Sequence, residues 1–357
     1  MNSTRNPAGD LFPASSAVAM TSHVDSKLVN ANLDENGVPI RDQPISIGTV
    51  FGFPDAVDAL THAFPDVKNP LVPRALENYV FDRMNFSVVH GFLTHPADDG
   101  LFLLGPFGSG KTSLPVQIAA RLNWPVTSYT AHGQLEHSDL VGHHSLNADS
   151  AMEFVYGPLP KAMREGHILI LNEIDMADPS ALAGLHDVIE GRPLCIESNG
   201  GEVVHPHPNF RLICTGNTVS GDASGLYAGT TRLNEAFKDR FSFWEIDYMP
   251  EEVELDILTR HAPDIPEDIV RNMIRLANKV RDLFRGADGV DATLTITFST
   301  RTLCRWATRT QQFSRTKAPL KFALAMSLLA RAEPEQKLSI EQLARDIFGH
   351  HVWEGEV

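Results

Sequence analysis

The residues with the clearest chemistry form a glycine-rich loop, GPFGSGKT, which runs from Gly105 to Thr112. The loop matches the pattern G-x-x-x-x-G-K-S/T in full, follows the apolar stretch GLFLL and precedes a predicted helix. In such a loop backbone N–H groups surround a phosphate, the lysine reaches the outer phosphates and the hydroxyl binds magnesium. We therefore predict binding of ATP and Mg²⁺. The predicted binding residues are Gly105, Pro106, Gly108, Ser109, Gly110, Lys111, Thr112 and Ser113.

A second polar group ends the apolar stretch HILILNEID. In nucleotide-hydrolysing motors with this pattern, a carboxylate at the position of Glu173 orients and deprotonates the attacking water. The position before it is normally an aspartate that helps to hold magnesium. Here it is Asn172, which keeps one acceptor oxygen but has no charge. We expect the Thr112 hydroxyl to bind Mg²⁺ and Asn172 to contact it through water. Asp175 could compensate through space for the lost charge, but in this pattern we expect it to cap the next helix.

The asparagine leaves two functions open. Because Glu173 is intact, we predict that hydrolysis of the nucleotide survives with an altered magnesium shell. The alternative is an assembly scaffold that binds nucleotide with little or no turnover, because Asn172 replaces the usual aspartate.

Charge and composition argue against several other classes of protein. The chain has 357 residues and a net charge of -15, which argues against a protein that coats nucleic acid, although a local basic pore remains compatible with it. No apolar run approaches the roughly 20 residues that a membrane helix needs, so we predict a cytoplasmic protein. Its three cysteines, Cys195, Cys214 and Cys304, are widely spaced, and we interpret them as buried thiols in a reducing compartment.

Three regions differ in pattern. Residues 1–45 have no sustained apolar period and predict a disordered or loosely packed extension. Residues 46–249 alternate apolar strands with helices, which is typical of a parallel sheet in an α/β domain. Residues 250–357 predict a small helical domain. The predicted strands are GLFLLG, PVTSYTA, HILILN and FRLICTGN. The predicted helices are DRMNFSVVHGFLTH, EEVELDILTRHA, PEDIVRNMIRLANKVRDLF, TRTLCRWATRTQQF and SIEQLARDIFG.

The motifs together resemble a known family. GPFGSGKT, HILILNEID, FRLICTGNTV and LNEAFKDRF occur in the order found in AAA+ ATPases. Softer matches, such as YVFDR, AARLNWP and DRFSFWEIDYMP, are most similar to the MoxR-type branch and, within it, to the small ATPase subunits of aerobic cobaltochelatases. The resemblance covers roughly residues 46 to 310. It implies an AAA+ P-loop domain with a central parallel sheet and β-hairpin insertions, followed by a small all-helical lid.

The resemblance also implies roles for individual residues. Asn217 stands where the family has a sensor that orients the water and contacts the γ-phosphate. Arg240 stands where an arginine reaches the nucleotide of a neighbouring subunit, with Arg232 as a rival and a surface arginine paired to a nearby carboxylate as the alternative. Arg301 stands where a second sensor contacts the γ-phosphate, or it is a helix-start arginine that faces solvent. An arginine that acts in trans implies a homo-oligomer, expected to be a hexamer.

Two segments, residues 142–159 and 195–210, fall where the family inserts hairpins that face the pore. The turn SNGGE in the second segment is compatible with a hairpin. Their histidines lack nearby cysteines or spaced carboxylates, so we interpret them as loop residues rather than metal ligands. These histidines are His143, His144, His205 and His207.

The residues that contact the base are less well defined. Tyr79, Phe81 and Phe51 lie upstream of the glycine-rich loop, and either a place near the base or ordinary core packing is compatible with their position. ATP is therefore not distinguished from GTP by sequence. The resemblance further implies that hydrolysis remodels or activates a partner protein, in the manner of a cobaltochelatase subunit or a MoxR-type chaperone. A partner with a von Willebrand factor A domain is expected in either case.

Overall fold

The computed structural model describes residues 32–66, 68–221, 229–286 and 294–355, so residues 1–31 of the predicted extension lie outside the described part. The strands are β1 (Gln43–Ser46), β2 (Leu60–Ala63), β3 (Gly100–Leu104), β4 (Val126–Thr130), β5 (Gly142–Leu146), β6 (Met152–Tyr156), β7 (Ile168–Asn172), β8 (Leu194–Ile196), β9 (Glu202–Val204), β10 (Arg211–Gly216) and β11 (Phe241–Glu245). The helices are α1 (Ile47–Phe51), α2 (Arg83–Thr94), α3 (Ser113–Arg121), α4 (His137–Val141), α5 (Pro158–Glu165), α6 (Pro179–Leu182), α7 (His186–Ile189), α8 (Glu235–Lys238), α9 (Glu251–His261), α10 (Glu267–Arg285), α11 (Thr300–Gln312), α12 (Pro319–Ser327), α13 (Pro334–Phe348) and α14 (His350–Glu354).

The central sheet is parallel, with the strand order β11-β3-β10-β7-β4. Strands β7 and β10 are buried along their whole length, and β3 is buried except at its last residue, which explains their unbroken apolar sequences. The α/β prediction and its four strands are confirmed. The edge strand β11 was not predicted, because its exposed and buried residues do not form an apolar run. Since parallel strands end at the same edge, the chain segments after β3, β7 and β10 meet there.

Both faces of this sheet carry an apolar core. Phe102 and Leu171 point into one core with Phe237, while Leu103 and Ile170 point into the other. The alternation follows from the two-residue period of a strand. The sheet is therefore covered by apolar side chains on both faces.

Two hairpins are inserted into the α/β domain, as predicted. Strands β5 and β6 pair antiparallel, and so do β8 and β9. The hairpins contact each other: the Tyr156 hydroxyl donates to Glu202 Oε2 at 2.7 Å, and His144 Nε2 lies 2.8 Å from the carbonyl oxygen of Ser198. Across residues 32–355, apart from the gaps given above, no group of three or more His, Cys, Asp or Glu could hold a metal ion.

The helices from α9 onward pack around a separate apolar core that contains Trp306, Trp353 and Phe298. On α10 the residues Val270 and Ile274 belong to the buried face, in keeping with the predicted helical spacing. A helical region therefore follows the α/β domain, as the lid prediction requires. None of the described helices combines the length and hydrophobicity that a membrane crossing requires.

The segment 32–46 contacts the α/β domain. Asp34 pairs with His207, the guanidinium of Arg41 lies 4.7 Å from the ring centre of Trp124, and β1 pairs with β2. These residues overlap the predicted extension, whose boundary at residue 45 stays a prediction, as does the boundary at residue 249.

The cysteines differ in burial. Cys214 is fully buried in β10 and Cys304 is partly buried. The expectation of three buried thiols is wrong for Cys195, which is exposed because it lies on the outward face of the short strand β8.

Candidate functional site

The glycine-rich loop leaves β3 and leads directly into α3. Gly105 has a φ of 148°, and a Cβ there would lie 2.1 Å from the carbonyl oxygen of Ile246, so no larger residue fits. Gly108 has a φ of 69°, and a Cβ there would lie 2.4 Å from the Cβ of Ser299. The loop is thus held tightly between the end of β11 and the start of α11, with glycine required at both contacts.

Lys111 connects the loop to the end of β10. Its Nζ donates to the carbonyl oxygens of Gly105 and Pro106 at 2.8 and 2.9 Å, and to Oδ1 of Asn217 at 2.9 Å. Burial lowers the pKa of Lys111 to about 8, although the nearby carboxylates of Asp175 and Glu173 act to raise it. The structure therefore brings Lys111, Asn217 and the loop together.

Thr112 and Asn172 are in direct contact. The Thr112 hydroxyl donates to Oδ1 of Asn172 at 2.6 Å, and Nδ2 of Asn172 donates to Oγ of Ser128 at 2.8 Å. This network turns the amide oxygen toward Thr112, so the two predicted magnesium contacts present adjacent oxygens. Mg²⁺ prefers oxygen ligands and keeps several waters, and a hydroxyl beside a carbonyl oxygen fits that preference.

Glu173 adopts an unusual backbone conformation. Its φ is 54° and its ψ is 41°, in the left-handed region that a glutamate rarely occupies. Its N–H donates to the Thr215 hydroxyl at 3.2 Å, and its carboxylate is exposed in the same cavity as Lys111. Strained residues of this kind cluster at functional sites, where the surrounding structure holds them in place. The structure therefore presents the Glu173 carboxylate to the cavity that Lys111 also lines.

The expectation that Asp175 caps the following helix is wrong. Asp178 is the N-cap of α6 and accepts the N–H of Ser180 at 2.8 Å. Asp175 is fully buried instead, and its Oδ2 accepts the N–H groups of Asn217 and Thr218 at 2.8 and 3.2 Å. Burial raises the pKa of Asp175, while these two bonds act to lower it. Asp175 therefore holds the backbone of Asn217 at the end of β10, and its accepting oxygen is used there rather than at a helix start.

A cavity of about 600 Å³ lies over the loop, between the sheet edge and the helical region. Arg301, Arg305 and Arg331 line it opposite Lys111. Within the described part of the chain, the side chains of these three arginines make no hydrogen bond or ion pair. The cavity therefore combines backbone N–H groups with four positive side chains, which suits a highly charged anion such as a triphosphate.

Two of these arginines were not predicted. Arg305 follows Arg301 by one helical turn on α11, so the i, i+4 spacing could have revealed it. Arg331 lies in a short turn after α12, and no local pattern points to it.

A second cavity, of about 550 Å³, lies on the other side of the loop. Tyr79, Met249 and Ile257 line it, together with Cys304 and Arg301. The first of the two alternatives for Tyr79, a place near the bound base, is thus compatible with the structure. By contrast, Phe51 and Phe81 pack edge-on with ring centres 5.3 Å apart inside the core.

The predicted trans arginine lies outside the first cavity. Nε of Arg240 is 2.7 Å from Oε1 of Glu190, at the end of α7. Arg232 is mostly exposed and lies 3.8 Å from Glu235. Neither arginine lines the first cavity of its own chain.

A glycine-rich loop after a central strand, polar residues at the ends of β7 and β10, and a helical region over the cavity define a P-loop nucleotide-binding protein. The family described as AAA domain (dynein-related subfamily) matches residues 100–241, and the family described as CbbQ/NirQ/NorQ C-terminal matches residues 254–347. The chain belongs to the AAA+ ATPases, in their MoxR-type branch, and within that branch it is similar to the cobaltochelatase subunit CobS.

Several relatives align with long parts of the chain. The aerobic cobaltochelatase subunit CobS of Sinorhizobium sp. is 29% identical over 324 residues, which cover 89% of this chain and 94% of that protein. A protein of Staphylococcus haemolyticus without an assigned function is 32% identical, over 51% of this chain and 68% of its own length. The protein YojN of Bacillus subtilis is 33% identical, over 50% of this chain and 57% of its own length.

Proposed function

We propose that this protein hydrolyses ATP in the presence of Mg²⁺ and uses the energy to remodel or activate a partner protein. One observation carries the hydrolysis: Lys111, Glu173 and Asn217 line the same cavity, opposite Arg301. An ATPase needs cations around the phosphates, a carboxylate for the water and a polar sensor, and these four residues supply them.

The magnesium ion would be held by Thr112 and, through water, by Asn172. When bound, Mg²⁺ would neutralise phosphate charge. Glu173 would orient the water and accept its proton, while Asn217, held by Asp175 and bonded to Lys111, would fix the position of that water. Arg301 would contact the γ-phosphate from the helical region. The second cavity, lined by Tyr79, would hold the base.

The partner is proposed from the resemblance to cobaltochelatase subunits and MoxR-type chaperones. We expect a cytoplasmic homo-oligomeric ring, with six subunits as the working hypothesis, that acts on a protein bearing a von Willebrand factor A domain. If the chain acts as a cobaltochelatase subunit, a large tetrapyrrole-binding subunit would be the second partner. Co-purification with each candidate would distinguish this from a chaperone of another enzyme.

The decisive experiment measures magnesium-dependent ATP turnover by the purified chain and by the variant Glu173→Gln. We expect turnover by the parent that falls by about 10² to 10⁴ in the variant, the range of general-base catalysis. Binding of ATP should be retained by both, because the carboxamide keeps the size of the carboxylate. A parent that binds ATP but shows no turnover would contradict hydrolysis.

A further inference from the structure

Tyr248 connects the glycine-rich loop to the helical region. It lies in the linker between β11 and α9. Its hydroxyl is 3.1 Å from the carbonyl oxygen of Phe107 and 3.1 Å from Oγ1 of Thr297. A phenol can donate to the carbonyl while it accepts the hydroxyl proton of Thr297, so both bonds form together.

On the loop side, the contact fixes a peptide plane. The carbonyl of Phe107 and the N–H of Gly108 belong to the same planar trans peptide and point in opposite directions. The bond from Tyr248 therefore sets the direction of the Gly108 N–H, one of the loop groups that line the cavity. Gly108 also abuts Ser299, which caps α11 through the N–H of Thr302.

On the helical side, the ring of Tyr248 is held by buried charge. The guanidinium of Arg281 lies 4.2 Å from the ring centre and forms a two-pronged ion pair with Glu254 at 2.7 and 2.8 Å. Glu254 also accepts the hydroxyl of Thr300 at 2.7 Å. Because Thr300 immediately precedes Arg301, a continuous chain of contacts runs from the loop to this arginine.

We propose that Tyr248 is a positioning residue that ties the conformation of the phosphate-binding loop to the position of Arg301. A triphosphate that contacts the loop and Arg301 at once depends on both being held in register. A diphosphate depends mainly on the loop. The proposal rests on the proposed function for the nature of the ligand, and it predicts that the Tyr248 hydroxyl favours triphosphate over diphosphate.

The test uses the full chain and equilibrium binding of two fluorescent nucleotides, a non-hydrolysable ATP analogue and ADP, both with Mg²⁺. Tyr248→Phe keeps the ring on Arg281 and removes only the hydroxyl. We expect this variant to weaken binding of the ATP analogue by about threefold to tenfold, the effect of one hydrogen bond. Binding of ADP should weaken by less than about twofold. The matched control is Tyr156→Phe, which removes a hydroxyl bonded to Glu202 in the hairpins and should change neither affinity.

A double-mutant cycle supplies the readout that a purely structural role would not move. If Tyr248 acts through Arg301, then adding Tyr248→Phe to Arg301→Gln should produce little further loss of affinity for the ATP analogue. Equal losses for both nucleotides, independent effects in the cycle, or a lower Tm with unchanged affinities would each overturn the proposal. Turnover is not used, so a chain that binds ATP without hydrolysis would contradict the proposed function and leave this test intact.

Discussion

Asn172 differs from the aspartate of the usual motif in charge rather than in placement. Its Oδ1 already faces Thr112, and its Nδ2 contacts the Ser128 hydroxyl. A hydroxyl can donate as well as accept, so Ser128 could satisfy a carboxylate at this position after a simple rotation. The site can therefore accept either residue, and the asparagine changes the charge at the proposed magnesium site.

The variant Asn172→Asp should strengthen the binding of magnesium. A contact to a charged group contributes about 1–2 kcal/mol more than a neutral one, so the Mg²⁺ concentration for half-maximal turnover should fall by about tenfold. A magnesium titration of the ATPase rate measures this. Ser128→Ala serves as the control, since it changes the outer contact and leaves the charge unaltered. An unchanged magnesium requirement would mean that position 172 does not reach the ion.

Lys111 should make nucleotide binding depend on pH. Its pKa is lowered to about 8 by burial, so the ammonium is present below that pH and lost above it in the free protein. A bound triphosphate favours the ammonium and raises the pKa of Lys111 again, so binding should take up protons near and above about pH 8.

Calorimetry in two buffers of different ionisation enthalpy tests the sign of this effect. At pH 8.5 the apparent binding enthalpy of Mg·ATP should differ between the buffers in the direction of proton uptake, and affinity should weaken as pH rises. At pH 7 the difference should be small, because Lys111 carries its proton in both states. Proton release at pH 8.5 would contradict this account.

At the scale of elements, one buried ion pair connects α9 to α10 and also contacts the first residue of α11. Glu254 and Arg281 are both almost fully buried, and Arg281 also donates to the carbonyl oxygen of Phe298 at 2.8 Å. Removal of one partner from such a pair leaves an uncompensated buried charge. The ion pair between Glu254 and Arg281 therefore contributes both to the packing of the helical region and to the position of Arg301.

The variant Glu254→Gln should lower the free energy of unfolding by about 3 kcal/mol. Asp256→Asn, on the same helix, is the matched control, because Asp256 pairs with Arg260 at an exposed i, i+4 position and should change stability by less than about 0.5 kcal/mol. Denaturant titrations of both variants give the comparison. Equal effects would show that burial of the first pair does not determine its contribution.

At the scale of the whole molecule, the proposed ring concerns Arg240 and Arg232, the two candidates for an arginine that acts on a neighbouring subunit. Arg240 lies away from its own cavity and is paired with Glu190. Assembly into a ring would bring such an arginine to a neighbouring nucleotide. The position of Arg240 outside its own cavity is compatible with the proposed oligomer, which rests on the family resemblance.

The variant Arg240→Ala should bind ATP yet lose about 10³-fold or more in turnover, whereas Arg232→Ala should stay close to the parent. Mixing Arg240→Ala with Glu173→Gln should restore part of the activity, because some interfaces would then pair an intact Glu173 with an intact Arg240. ATPase assays of the mixture and of each variant alone measure this. If Arg232→Ala is the inactive variant, the trans role belongs to Arg232.

The sequence by itself determined the parts of the site that depend on local order. Gly105, Lys111 and Thr112 were predictable because a strand, a tight turn and a helix are adjacent in the chain. Glu173 was predictable from the motif at the end of an apolar strand, whereas the role of Asn217 was implied by the family resemblance. Parallel strands end at one edge, which explains why both residues line one cavity. The fold class followed from the same alternation of strands and helices.

Only the tertiary structure decided the contacts between distant segments. Asp175 holds Asn217 rather than a helix end, and Arg331 faces the cavity from a turn without a motif. The Tyr248 hydroxyl meets the Phe107 carbonyl across 141 positions of sequence. Hydrogen-bond partners of this kind depend on how the helical region packs against the sheet, and no local periodicity or spacing encodes that packing.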